Sequence, residues 1–215
     1  AALGPVALEE STASRVEHEA ARLLPALTAI ASSDPSGLAR VALASTLQRL
    51  PLSLRPALAE ALVARSEDAC DHNLPLLVWY GLIPVADADP AALVNVAAAC
   101  AWPTTRRLIA RRLAERSDSV PEPISDLLAA AAGSEDLASL RDTLRGCAEA
   151  FAGWRRPPEP ASWTEVTTRV DQLGASEVAA ACRELHASLD QLFGNGQPLD
   201  SLVAVAEELI ERRVE

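Results

Sequence analysis

Helix-start signals recur along this chain at short and similar intervals, and they constrain its fold more than any other feature. Asp34-Pro35, Asp89-Pro90 and Pro103 each open an apolar-periodic segment of helical length. A side-chain acceptor satisfies the free amides of a first helical turn, and proline there costs no hydrogen bond. Helix pairs therefore follow one another every ~30 to 40 residues, a spacing typical of stacked helical repeats and not of a bundle with long crossovers.

The apolar periodicity predicts an all-α chain of about 11 helices. Their predicted limits are 11–32, 35–50, 54–66, 74–85, 90–101, 103–116, 121–133, 134–154, 163–173, 176–193 and 198–213. Residues 1–10 lack periodicity, and Pro25 predicts a kink or break in the first helix, because proline removes a backbone donor. Composition agrees, since Ala, Leu, Arg and Glu favour helices and the aromatic residues are only four Trp, one Tyr and two Phe.

Three prolines mark residues 155–162 as the one convincing linker. We expect helical repeats over residues 1–156 and a continuation of the same stack over residues 157–215, which together form one structural unit. The sequence starts at Ala1 and contains no methionine, so we expect a processed product or a fragment, and favour a fragment.

The charge of the chain restricts its partners. Thirty acidic residues against 19 basic ones, all of them arginine, give a net charge of −11. Such a chain repels nucleic acid and anionic membranes overall, so we predict neither as a partner. No apolar run approaches the ~20 residues of a membrane span, so no direct insertion is expected.

One basic cluster departs from that balance and could bind nucleic acid. It consists of Arg106, Arg107, Arg111, Arg112 and Arg116. At 100° per residue these positions spread around their helix instead of forming one stripe, so we expect some of them to pair with acidic neighbours.

Two groups of residues could carry chemistry. Cys182, His186 and Asp190 lie on one helical stripe and are all possible zinc ligands, but a single helix cannot close a tetrahedral site around them. Cys70, before Asp71 and His72, could be a nucleophile beside its base, although adjacent side chains seldom point at each other.

For both groups the structural interpretation is favoured. Cys182 would be a buried residue beside a partly exposed His and Asp. Asp71, His72 and Asn73 would cap a tight turn between helices, with Asn73 as the N-cap. There is no Walker loop, nucleophile elbow or dinucleotide fingerprint, so we predict no enzyme and no catalytic, cofactor-binding or metal-binding residue.

The remaining aromatic and cysteine residues fit a helical core. Trp79, Tyr80 and Trp102 lie on neighbouring predicted helices and are expected to cluster there, although a ligand pocket around them is the alternative. The four cysteines form no C-x-x-C pair. We expect buried free thiols, with one long-range disulfide as the competing interpretation.

The segment from Asp34 to Leu47 resembles the second helix of a HEAT repeat. Arg40 stands six residues after Asp34, and Arg106 stands in the same relation to Cys100, where the family's Asp is missing. The resemblance implies a right-handed α-solenoid of HEAT- or armadillo-like pairs, in which the Asp and Arg tie neighbouring repeats together.

A second resemblance is fairly specific over the segment D-H-N-L-P-L-L-V-W-Y-G at residues 71–81. With residues 40–49, 106–113 and the later text around Trp163, it is similar to the helical middle region of the large PVC-type haem-binding, membrane-bound dehydrogenases. The resemblance covers roughly residues 35–210 and implies an exported protein of the cell envelope or periplasm. It also implies a β-propeller before this region and a C-x-x-C-H cytochrome domain after it, and neither can be read in this chain.

Two functions follow as hypotheses. The first is a non-catalytic scaffold or protein-interaction module that spaces or docks the redox domains of a larger protein, with protein as its partner and no cofactor. The alternative is a small-molecule-binding or metal-binding helical domain, which would use Trp79 and Trp102 or the Cys182 stripe.

Overall fold

The computed structural model describes residues 5–194, and every regular element in that range is helical. The α-helices are α1 (Pro5–Ser33), α2 (Gly37–Thr46), α3 (Arg55–Val63), α4 (Leu74–Leu82), α5 (Val85–Ala88), α6 (Pro90–Ala99), α7 (Pro103–Ala114), α8 (Glu122–Gly133), α9 (Leu137–Phe151), α10 (Trp163–Asp171) and α11 (Glu177–Gly194). Short 3-10 turns lie at Leu47–Arg49, Leu52–Leu54 and Ser66–Asp68. The all-α prediction is confirmed here, and the predicted helix 198–213 lies outside the described residues.

The long helices pack in two rows. In the first row α1 packs against α3, α3 against α6, α6 against α8, and α8 against α10. In the second row α2, α4, α7, α9 and α11 follow one another in the same way. Consecutive helices of the two rows also pack as pairs, such as α1 with α2 and α8 with α9. Each pair thus packs mainly on its neighbours in the chain, while the right-handed solenoid stays a prediction.

The structure confirms several of the helix starts that the Asp and Pro signals of the sequence predict. The Asp89 carboxylate accepts the amide of Ala92 at 3.2 Å, and α7 begins at Pro103 as predicted. The start of α2 differs. The Asp34 carboxylate accepts the amide of Ser36 at 2.7 Å, so Pro35 lies before the helix instead of in its first turn.

The first helix is longer than the sequence predicts. It begins at Pro5, where proline suits a first helical position, and not at Ser11 or Thr12. It also continues through Pro25, so the predicted break is wrong. Pro25 lies on the exposed side of α1, where the carbonyl that loses its partner faces solvent and the cost of the missing hydrogen bond is small.

Side chains join the turns of successive pairs along one edge of the stack. The guanidinium group of Arg65, after α3, donates to the carbonyl of Ser32 at the end of α1. The indole of Trp102, before α7, donates to the carbonyl of Arg65 at 2.7 Å. Further along, Arg169 donates to the carbonyl of Ser134 at 3.2 Å. These bonds satisfy carbonyls that helix ends leave free, and each of them ties a turn to that of the neighbouring pair.

Two glycines allow helices of the second row to approach closely. A Cβ atom at Gly146 in α9 would lie 2.5 Å from the carbonyl oxygen of Arg107 and 2.7 Å from the Cβ of Ala110. At Gly81 in α4 it would lie 2.7 Å from the Cβ of Leu47. The α7–α9 contact, the most extensive in the fold, therefore depends on the missing side chain at Gly146.

The predicted linker does not interrupt the rows, because α8 packs against α10 and α9 against α11 across it. The amide of Ala161 donates to the Ser125 hydroxyl at 3.0 Å, and the Ser162 hydroxyl donates to the Ser125 carbonyl at 2.7 Å. Residues 152–162 contain no α-helix, as the prolines predict. They nevertheless lie hydrogen-bonded against α8.

Candidate functional site

Two buried arginines occupy equivalent places in the second row. In α2, Arg40 donates to the carbonyl of Asp34 at 2.8 Å and forms a bidentate ion pair with Asp68, in which Nη2 lies 2.8 Å from Oδ1. In α7, Arg106 donates to the carbonyl of Cys100 and lies 3.3 Å from Asp142. Each arginine stands six residues after the residue whose carbonyl it binds.

These contacts show what the Arg positions do in this fold. Each guanidinium group holds the turn inside its own helix pair and reaches an aspartate of the next pair, either before α4 or within α9. The carboxylate of Asp34 accepts a backbone amide, whereas Arg40 pairs with Asp68, and its hydrogen bond to Asp68 raises the pKa of the arginine. Sequence reasoning missed Asp68 and Asp142, although an aspartate inside the apolar stripe of α9 was a usable signal.

The turn before α4 is capped by Asp71. Its carboxylate accepts the amides of Asn73 and Leu74, both at 2.8 Å, and these bonds lower the pKa of Asp71. Asn73 occupies the N-cap position but its side chain makes no capping bond, so the predicted role of Asn73 is wrong. The reason is geometric: the Asp71 carboxylate already reaches both amides from two and three residues upstream.

Cys70, Asp71 and His72 are neighbours in sequence, but their side chains have different surroundings. Cys70 and His72 are exposed, and the carboxylate of Asp71 is occupied by the two backbone amides. Within residues 5–194 no side-chain hydrogen bond joins the three. Of the three residues expected to cap this turn, Asp71 does so, whereas neither His72 nor Asn73 makes a capping bond in the described structure.

The predicted cluster of Trp79, Tyr80 and Trp102 is not formed. Trp102 is fully buried and donates to Arg65, Trp79 is half-buried, and Tyr80 is 55% exposed. Adjacent positions on α4 point about 100° apart, and Trp102 turns toward the end of α3. Trp79 does line a shallow hollow of about 290 Å³ with Ile83 and Leu108.

The aromatic cluster lies instead at the far end of the stack. Phe151 and Trp163 each meet Phe193 edge to face, at ring-centroid distances of 5.8 and 4.8 Å. Trp163 also stacks on His186 at 4.7 Å. These residues come from three different helices. The spacing of residues within one segment therefore does not predict their contact.

The three residues of the Cys182 stripe on α11 contact two different neighbouring segments. Cys182 is buried and its thiol lies 3.8 Å from the carbonyl of Leu137, whereas the Asp190 carboxylate accepts the indole of Trp163 at 3.0 Å. His186 stacks on Trp163, so His186 and Asp190 fix this indole. Over the described part of the chain, no three His, Cys, Asp or Glu residues are grouped as metal ligands.

All four cysteines are free thiols, which rules out the disulfide alternative. Cys100, Cys147 and Cys182 are buried, and Cys70 is exposed. Burial raises the pKa of Cys100 to about 11 and that of Cys147 to about 12. The buried thiols are therefore poor nucleophiles and poor metal ligands near neutral pH.

Every arginine of the basic cluster pairs with a carboxylate. Arg106 binds Asp142, Arg107 binds Glu149, Arg111 and Arg112 bind Glu115, and Arg112 and Arg116 bind Asp87. The bonds to Asp87 and Glu149 reach other helices, as the sequence led us to expect. The cluster thus belongs largely to the packing between helix pairs.

No family model, curated protein or solved structure matches this chain. No helix among residues 5–194 combines the length and apolar character needed to cross a membrane. The described structure belongs to the class of all-helical proteins, and it is built from packed helix pairs. Its outward surface and its inter-pair ion pairs are the features from which a function can be argued.

Proposed function

We propose that this chain is a right-handed α-solenoid segment of HEAT-like pairs that serves as a non-catalytic scaffold or protein-interaction module. The observation that carries the proposal is the repeated arginine contact at Arg40 and Arg106. The same bonding, to the chain's own turn and to an aspartate of the next pair, occurs from α2 and again from α7. Repetition of one inter-pair contact is the property on which helical-repeat proteins are built.

The side chains present support a binding role over a catalytic one. The candidate nucleophile Cys70 is not hydrogen-bonded to His72 in the described structure, and the other three thiols are buried with raised pKa values. In contrast, the second row exposes Leu76 and Tyr80 on α4, at 41% and 55% of their surfaces. An exposed tyrosine beside apolar side chains is typical of a protein contact surface.

Photocrosslinking tests this role in the complete protein in its own cells. A benzoylphenylalanine at Tyr80 should crosslink repeatedly to one site on a single partner protein or neighbouring domain. The same photoreactive residue at Asp126, exposed on α8 in the first row, is the matched control and should not capture that site. Equal capture of unrelated peptides at both positions would contradict an interaction surface on the second row.

We further propose, from the resemblance at residues 71–81, that the parent is an exported protein of the PVC-type haem-binding dehydrogenase class. In that setting the scaffold would space a β-propeller and a cytochrome domain, and its partners would be those domains. The complete coding sequence tests the assignment. A C-x-x-C-H motif downstream supports it, and a complete gene that lacks both other domains removes it while leaving the helical scaffold.

A further inference from the structure

The first helix, α1, carries a line of exposed apolar side chains, which we call the α1 stripe. Val16, Leu23 and Ile30 follow one another at intervals of seven residues, and 56%, 58% and 40% of their surfaces are exposed. Seven residues make almost two full helical turns, so the three side chains lie along one side of the helix. Apolar residues at this spacing form the seam by which one helix pairs with another.

The α1 stripe is separate from the side chains that hold α1 in the fold. Ala20, Leu24, Leu27 and Ala31 pack inward on the core, where α1 contacts α2 and α3. At 100° per residue, the α1 stripe lies about 70° around the helix from these inward side chains. The apolar side of α1 is therefore wider than the part that the described chain covers.

The opposite end of the first row has a different surface. Like α1, α10 packs against one helix of its row among the described residues, but it exposes the polar side chains of Thr164, Glu165 and Thr168. The outermost helix of a helical-repeat stack needs such a polar outer face to stay soluble alone. The exposed apolar side chains of α1 instead resemble a contact between two helices, so we expect another helix to cover them.

The charges on α1 favour a second copy of this chain as the cover. Residues 14–33 contain two arginines and two glutamates, so this stretch is neutral, although the chain carries a net charge of −11. Two chains of the same charge repel each other least where the facing surfaces are neutral. Glu19 and Arg22 already pair with each other at 3.2 Å beside the α1 stripe, and they can form the polar rim of a contact.

The order of these charges favours an antiparallel pair. All four charged side chains precede Leu23, and residues 23–33 contain none. In an antiparallel pair centred on Leu23, Arg15 of each copy approaches the carboxyl end of the other α1, whose free carbonyls favour a cation. A parallel pair would instead bring the like ends of the two helix dipoles together.

We propose that two copies of this chain associate through α1 in an antiparallel, two-fold symmetric pair. Leu23 packs on Leu23 of the second copy, and Val16 packs on Ile30 on either side of that centre. The contact leaves Leu76 and Tyr80 of the second row free, so it does not depend on the interaction role proposed above. The α1 stripe spans only about 21 Å, so we expect a dimer that dissociates at micromolar concentrations.

Sedimentation velocity of the complete chain tests the dimer over a range of about 1 to 300 µM. The mean mass should rise with concentration from 22.7 kDa toward twice that value. Leu23→Glu should raise the dissociation constant at least about tenfold, because it places two carboxylates against each other at an apolar centre. Leu76→Glu, at a leucine 41% exposed on α4, is the matched control and should dimerise as the wild type does.

A second variant separates loss of the contact from loss of the fold. Leu23→Ala shortens an exposed side chain and keeps a good helix former, so it should leave the helical circular dichroism unchanged. It should still weaken the dimer, although less than Leu23→Glu does. The two variants therefore give a graded loss of association in a chain that remains folded.

Disulfide crosslinking tests the orientation in a Cys70→Ser background, which removes the exposed thiol. Under copper–phenanthroline oxidation, Leu23→Cys should crosslink to itself. Val16→Cys should crosslink readily to Ile30→Cys when the two variants are mixed, and only slowly to another copy of Val16→Cys.

Three results would overturn the inference. A mass of one chain at every concentration would remove the dimer and leave α1 to a helix of another protein. Equal weakening by Leu23→Glu and Leu76→Glu would assign the contact to another surface. Faster crosslinking of Val16→Cys to itself than to Ile30→Cys would contradict the antiparallel order.

Discussion

At the scale of single residues, the cap at Asp71 carries the start of α4. Replacing Asp71 with Ala should lower the free energy of unfolding by about 1 kcal/mol, the usual value of a lost N-cap acceptor. Asp71→Asn keeps an acceptor and should cost less, and Asn73→Ala should cost nothing measurable. Urea denaturation of the three variants checks the ranking, and a larger loss at Asn73 than at Asp71 would contradict it.

The ionisation of Asp71 predicts how the free energy of unfolding changes with pH. The amides of Leu74 and Asn73 lower the pKa of Asp71 below its ordinary value of 3.8. A carboxylate with a lowered folded-state pKa stabilises the fold fully above the ordinary value, and the benefit is lost as the pH falls through the lowered pKa. The stability difference between the wild type and Asp71→Ala should therefore shrink below pH 3.8, while a difference that is constant in acid would exclude this ionisation.

The cysteines differ in reactivity for reasons of burial. Of the four free thiols, only Cys70 is exposed. Ellman's reagent should titrate one thiol quickly in the folded protein and all four after denaturation. Cys70→Ser should abolish the fast phase. A second fast thiol in that variant would show that Cys100, Cys147 or Cys182 is accessible.

At the scale of helices, the contact between α7 and α9 depends on Gly146. Gly146→Ala places a methyl group within 2.5 Å of a backbone oxygen of α7, where no flexible side chain can yield. We expect a loss of about 1–3 kcal/mol in the free energy of unfolding, the range of overpacked cores. Gly133→Ala is the matched control, since no atom lies within 4 Å of its added Cβ.

Urea denaturation of this pair separates packing from helix propensity. Alanine is the better helix former in both places, so Gly133→Ala should leave stability unchanged or slightly raised. Equal effects at Gly146 and Gly133 would show that the two helices can move apart at little cost.

Local signals in the sequence predict helices better than they predict contacts. Asp89 and Pro103 start helices as expected because capping depends only on nearby backbone. Two signals did not follow the rule. Asp34 binds the amide of Ser36 ahead of α2, and Pro25 is tolerated inside α1 because it lies on the exposed side of that helix. The Asp71 cap was assigned to Asn73 because both residues can accept the same amides.

The candidate site was less predictable than the helices. Arg40 and Arg106 were recognisable from their spacing, but Asp68 and Asp142 come from the next helix pair, at separations of 28 and 36 residues. These aspartates reach the arginines only when the helix pairs stack, and neither aspartate belongs to a motif of its own. Contacts of this kind depend on how helices stack, which one sequence does not specify locally.

At the scale of the whole molecule, buried arginines link one helix pair to the next. Arg40→Met leaves Asp68 buried without its partner and should cost about 3–5 kcal/mol. Arg40→Met with Asp68→Leu removes both charges and should recover most of that loss, because a buried ion pair costs desolvation energy. Thermal and urea denaturation of both single variants and the double variant give the coupling, and additive losses would contradict a direct pair.

Most packing joins helices of neighbouring pairs, which predicts that stability is local along the chain. In a stack of this kind each pair gains stability from its neighbours, and damage at one end reaches the other end only weakly. Leu43→Ala in α2 and Leu189→Ala in α11 should destabilise the two ends of the described stack, since both leucines are buried. Each substitution should cost about 2–5 kcal/mol locally.

Native-state hydrogen exchange read by mass spectrometry tests the helical-repeat account most directly. Leu43→Ala should speed exchange in α1 to α4 and leave α9 to α11 unchanged, while Leu189→Ala should do the reverse. A single cooperative core would behave differently. Equal loss of protection along residues 5–194 in both variants would contradict a stack of helix pairs.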